Sequence, residues 1–117
     1  MDFTVEFYES VSGDCPVREF LDDLRLRDPN DFAAVMAGLS KLHNRQCHRP
    51  PLSKPLGRGL FEMRHVGKLN TRVLYIFFRG RRIVLLHGIR SKGRSIPPRE
   101  LRVALQRQND WLERNPS

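Results

Sequence analysis

Arg72 and His87 are the residues whose types and spacing most clearly suggest chemistry. Arg72 opens the apolar run Arg72–Phe78, and His87 interrupts the run Ile83–Ile89 just after Ile83-Val84-Leu85-Leu86. Turn residues at Arg79-Gly80-Arg81 lie between the two. A turn at Arg79-Gly80 would pair Arg72 with His87, whereas a turn at Gly80-Arg81 would pair Arg72 with Ile89 and Leu74 with His87. Side chains alternate with period two, so both registers put Arg72 and His87 on one face of a hairpin. A guanidinium binds phosphate in bidentate fashion and stabilises charge in a transition state. An imidazole near its pKa gives or takes a proton at neutral pH. Together they suit a phosphodiester, and RNA can be cleaved without metal because its own 2′-hydroxyl attacks the neighbouring phosphate. The plain alternative for His87 is a core histidine hydrogen-bonded to backbone.

More cations thread the same stretch, Leu60 to Lys92: Arg64, Lys68, Arg79, Arg81, Arg82, Arg90 and Lys92. Glu62 is its only acid, expected to pair with Arg64 or Arg72 or to orient one of them. The turn Gly67–Asn70 leaves open whether Arg64 shares the face of Arg72. Of the chain's 13 acids, nine precede Phe32, and the formal net charge is +8 over 117 residues. The basic character therefore belongs to the middle of the chain and favours nucleic acid or an anionic surface as partner. A solvated cationic face that only aids solubility is the plainer reading.

Other chemistries have weaker support. His43, Cys47 and His48 lie close together, but no second set with metal-ligand spacing accompanies them, so neither metal nor cofactor is expected. Gly57-Arg58-Gly59 is too short for a phosphate loop. Cys15 and Cys47 are too few for a disulfide framework, no signal peptide is evident, and no apolar run would span a bilayer. These features predict a reduced, cytoplasmic protein with no membrane partner.

The elements that must position these residues follow from periodicity. Phe3–Tyr8 reads as an opening strand. Asp14 is placed to cap a helix with Pro16 in its first turn, and Val17, Phe20, Leu21 and Leu24 give Pro16–Arg27 one apolar face. Asp28-Pro29-Asn30 ends that helix and starts another, from about Asp31 to His43, with a stripe of Phe32, Val35, Met36, Leu39 and Leu42. Gly38 either weakens this helix or allows close packing. Three prolines make Arg49–Gly59 a predicted loop. Strands at Leu60–Val66, Arg72–Phe78 and Ile83–Ile89 come next, then a loop at Gly93–Pro98. A last helix carries Leu101, Ala104, Leu105, Trp111 and Leu112. The expected order is β-α-α-β-β-β-α, a single α+β domain over residues 1–117 with two N-terminal helices on a small antiparallel sheet.

Leu60-Phe61-Glu62-Met63-Arg64, Thr71-Arg72-Val73-Leu74-Tyr75 and Ile83-Val84-Leu85-Leu86-His87-Gly88 carry a resemblance. So do Ile89-Arg90-Ser91-Lys92, Pro97, Glu100 and Ala104, and earlier Val5-Glu6-Phe7-Tyr8 and Pro16–Leu21. Taken in order, these segments resemble the RelE/HigB toxin superfamily, in its phage-derived HigB-like branch, over nearly the whole chain. The resemblance implies a RelE-like fold, with two helices against a curved antiparallel sheet. It also implies a ribosome-dependent, metal-independent endoribonuclease that cuts mRNA and is restrained by an antitoxin, usually a HigA-like helix-turn-helix protein.

Carried over by position, Arg72 would grip the scissile phosphate, Arg64 would be the basic residue of the preceding strand, and Lys92 would contact RNA or stabilise charge. Ser91 stands where that family has a first lysine, with Arg90 and Arg94 available to replace its charge. No tyrosine follows Tyr75, so proton transfer falls to His87, with His65 and Glu62 behind it. Lys68, Arg79, Arg81, Arg82, Arg90 and Arg94 would then be RNA-docking residues. The alternatives are a non-catalytic RNA- or ribosome-binding protein of this fold, and a ParE-like inhibitor of a protein target such as gyrase.

Overall fold

A computed structural model describes residues 2–116. Strand β1 spans Thr4–Phe7, helix α1 Pro16–Arg27 and helix α2 Pro29–Lys41. A 3-10 turn at Arg45–Cys47 leads to β2, Ser53–Gly57. Strands β3, β4 and β5 span Leu60–Val66, Asn70–Phe78 and Arg82–Ser91, and helix α3 spans Pro98–Arg114. The mixed α+β class and the order of elements agree with expectation, with one strand more.

Five strands form one sheet in the order β1-β5-β4-β3-β2. The sheet is antiparallel except where β1 runs parallel to β5. Both faces are covered, so the apolar runs of the central strands are buried and continuous rather than alternating. Val73, Tyr75, Ile83 and Leu85 turn to α1 and α2, where they meet Val17, Leu21, Leu24, Val35, Leu39 and Leu42. Leu74, Ile76, Phe78, Val84 and Leu86 turn the other way, to Ala104 and Trp111 of α3. Gly88 lets α1 approach β5, because a Cβ there would run into the Phe20 ring. Gly38 does the same for α2, where an added Cβ would lie 2.9 Å from the Met63 sulfur.

Three local expectations are corrected. The segment 49–59 is not all loop: Ser53–Gly57 pairs with β3 as an edge strand. Pro55 is tolerated there because an edge strand forms its ladder on one side only, and a bulge after Pro55 relieves the register. The N-cap of α1 is Cys15, with no side-chain bond, while the Asp14 carboxylate accepts from the Ser12 hydroxyl at 3.1 Å. Helix α2 begins two residues early, at Pro29, because Asp28 caps it by accepting the Asp31 N–H at 3.1 Å.

The β4–β5 hairpin follows neither expected register at its turn and the second of them beyond it. Phe78 pairs with Arg82 around the three-residue turn Arg79-Gly80-Arg81, in which Arg79 and Gly80 have φ of 37° and 69°. A bulge between Leu74 and Tyr75 then shifts the pairing, so that Leu74 meets His87 and Arg72 meets Ile89. Among the described residues, no helix is long and apolar enough to cross a membrane.

Candidate nucleic-acid interface

Arg64 and Arg72 stand directly opposite each other across β3 and β4, on the face that α3 covers. Like charges in directly opposed positions repel, so the pair needs a counter-charge or a ligand. Glu62 is the counter-charge. It lies two residues before Arg64 on the same face, and its Oε2 is 3.1 Å from Arg72 Nε with both side chains buried. The rest of the Arg72 guanidinium is held by the chain after β5: Nη2 donates to Arg94 O at 2.6 Å and to Gly93 O at 3.3 Å, and Nη1 to Ser91 Oγ at 3.4 Å. Arg72 is thus a fixed cation with only 1% of its surface exposed.

The cations above it are not fixed. Lys54, paired with Glu62 across β2 and β3, holds its Nζ 3.6 Å from Glu62 Oε1 with half of its side chain in solvent. Arg64 is half-buried and its side chain makes no hydrogen bond or ion pair among the described residues. Arg94 is exposed. A cleft of about 280 Å³ opens beside them, lined by the polar Lys54, Glu62, Arg72, Arg94 and Ser95 and the apolar Leu56, Ile96 and Leu101. A smaller recess of about 50 Å³ adjoins it, lined by Arg64, Glu62, Lys54 and the Pro50–Ser53 segment. Four cations around one carboxylate leave a surplus of positive charge beside an apolar wall, an arrangement suited to a phosphate attached to a less polar group.

His87 shares this face because the bulge beside it offsets the three-residue turn, but α3 lies over it. Its Nε2 meets Glu100 Oε2 at 2.5 Å, and Arg107 Nη1 donates to its Nδ1 at 2.8 Å. That donor assigns the proton to Nε2, so the ring is the neutral tautomer donating to Glu100. Burial is the main cause that holds its pKa below the ordinary histidine value; the Arg107 charge acts in the same direction, and Glu100 opposes both. Both ring nitrogens are engaged, and His87 does not line the cleft. The sheet's alternation fixes which face a side chain takes, but the covering helix decides whether a substrate can reach it.

The other cations divide by position. Lys92 is exposed beyond β5, outside the cleft lining, and the exposed Lys68 of the β3–β4 turn lines a recess of the opposite face with Asp28, Asp31 and His65. Arg90 turns to the opposite face, where its Nη2 is 2.5 Å from Asp28 Oδ2 and its Nε 3.3 Å from Asp31 Oδ2. Asp31 is a buried hub that also accepts from Thr71 Oγ1 at 2.7 Å and lies 2.9 Å from His65 Nε2. Thus His65, too, is turned from the cleft. Arg82 makes two 2.8 Å hydrogen bonds to the Glu6 carboxylate and lies over the rings of Phe78 and Trp111. Arg79 and Arg81 are exposed at the β4–β5 turn, seven strand residues beyond Arg72, or about 20 Å. They cannot meet the same phosphate as Arg72. His43 and His48 each bond a backbone carbonyl, of Phe3 and Leu42.

Sequence reasoning missed Lys54, because a proline-rich segment concealed the strand that presents it. It also missed the Asp31 hub, because an acid in a first helical turn reads as a partner for the helix dipole.

Residues 19–109 match the family model described as phage-derived protein Gp49-like (DUF891). No curated protein matches the chain.

Proposed function

From the premise that the chain belongs to the phage-derived Gp49-like family, we propose that it is the toxin of a type II toxin–antitoxin pair, an endoribonuclease that cuts mRNA on the ribosome without a metal ion. The observation that carries this reading is the Arg64–Arg72 pair, one guanidinium free and the other fixed beneath it by Glu62. Arg72 supplies a preorganised positive charge, and Arg64 supplies open hydrogen-bond donors for the scissile phosphate. Lys92 and Arg94 extend the positive surface along the RNA. The partner that restrains the protein is a helix-turn-helix antitoxin covering this surface.

The chemistry of the cleft itself is charge stabilisation. Among the described residues no imidazole or phenol lines it, so a site of this kind would take its proton-transfer group from the ribosome. The same observation favours a second reading, in which the protein binds RNA or the ribosome and blocks translation without cutting. Induced expression followed by primer extension on an abundant message separates the two. New 5′ ends with the unaltered protein, absent with Arg64→Ala, support cleavage. Growth arrest with intact message and salt-sensitive RNA binding supports the second reading. DNA damage with intact message would instead point to a protein target such as gyrase.

A further inference from the structure

We propose that Lys54, presented by the edge strand β2, is a phosphate-binding residue of the cleft and holds a phosphodiester of single-stranded RNA next to the one on Arg64. This rests on the RNA reading above. Lys54 and Glu62 are the residues common to the lining of the main cleft and the adjoining recess. Lys54 is therefore placed where a strand running from one to the other must pass.

Its ammonium is available. At 3.6 Å from Glu62 Oε1 it makes an ion pair too long for a hydrogen bond, and 51% of its side chain is exposed. Glu62 is committed to Arg72, which is as deeply buried as itself, so one carboxylate serves two cations and the outer one is under-neutralised. Lys54 and Arg64 occupy diagonal positions on neighbouring strands of one face, about 7–8 Å apart between backbones. One ribose-phosphate unit can bridge that distance. Leu56, Ile96 and Leu101 give its sugar or base an apolar surface, and Arg94 adds a further positive charge to the lining. Binding would exchange the weak Lys54–Glu62 pair for a charge-assisted contact to phosphate.

The test is the binding of a short fluorescein-labelled oligouridylate, followed by anisotropy over a range of KCl concentrations. Lys54→Ala is expected to weaken binding about tenfold and to reduce the slope of log K against log salt by about 0.7, the loss of one phosphate contact on a single strand. Lys54→Arg should restore most of both, and Lys41→Ala, which removes a charge on α2, should change neither. Circular dichroism on each variant separates lost binding from lost fold, and the arginine variant keeps the test decisive if the alanine variant unfolds. Unaltered protein that binds, with Lys54→Ala matching it in affinity and slope, overturns the role of Lys54 alone. Failure of the unaltered protein to bind RNA overturns this role together with the reading it rests on.

Discussion

Glu62 Oε2 lies 3.1 Å from Arg72 Nε, and the two side chains are 3% and 1% exposed. Removing one partner of such a buried pair leaves the other charge uncompensated, at a cost of about 3–5 kcal/mol. Arg72→Ala should therefore lower the melting temperature strongly as well as abolish activity, and its inactivity alone would not identify a phosphate contact. Glu62→Gln/Arg72→Met is expected to recover much of the stability while remaining inactive. Thermal unfolding of the single and double variants checks this; an unchanged melting temperature in Arg72→Ala would contradict the buried pair.

Among the described residues Arg64 has no side-chain partner to lose. Arg64→Ala should change stability by less than about 0.5 kcal/mol, as surface substitutions do, yet abolish mRNA cleavage or translational arrest. Activity close to that of the unaltered protein, at equal expression, would remove Arg64 from the site.

The neutral His87 makes stability sensitive to acid. Its folded-state pKa is depressed, chiefly by burial, so the unfolded chain binds the proton more readily. This contribution is fully present above about pH 6.5, the unfolded histidine value, and is lost as pH falls toward the lower folded value. The melting temperature should fall between about pH 7.5 and pH 5.5, and His87→Gln should flatten the fall. An equal slope in the variant would place the sensitivity elsewhere.

Arg90 belongs to the fold more than to the RNA surface. Arg90→Ala, which strips Asp28 and the buried Asp31 of a partner, should cost about 1–3 kcal/mol. The salt dependence of RNA binding should be unaltered. A reduced salt slope at full stability would reverse that assignment.

Gly88→Ala tests the packing of α1 on β5. The new methyl would enter the Phe20 ring, and overpacking of this kind costs about 1–3 kcal/mol. Combining it with Phe20→Leu should cost less than the sum of the two single changes, since the smaller side chain makes room.

What the sequence made legible was local or periodic. Helix α1 has its expected bounds because Pro16 opens it and Asp28-Pro29 closes it, and β3 matches because Gly59 and Gly67 bracket it. Period-two alternation placed Arg72 and His87 on one face through two candidate registers; the three-residue turn alone would have parted them, and the bulge restores the expected pairing of Leu74 with His87. The rest depended on long-range geometry. Pro55 argues against a strand unless that strand is an edge, and edge position is a property of the assembled sheet. Nothing near His87 in sequence announces that Glu100 and Arg107 will cover it. The free Arg64 beside the fixed Arg72 is likewise a result of tertiary structure, because Ser91, Gly93 and Arg94 do the fixing.

The parallel pairing of β1 with β5 bears on how the molecule comes into being. Thr4 meets Arg82 and Phe7 meets Leu85, so β1 waits for a strand that leaves the ribosome much later. Until β5 is synthesised, the sheet has no central partner for β4 and none at all for β1, and one face of the helical hairpin stays open. Such end-to-end contacts close slowly because the loop entropy must be met first. Gly93 and Arg94, which lock Arg72, emerge later still. A chain that we read as attacking the translation machinery thus completes its cleft only after β5 and the segment that follows it have been made.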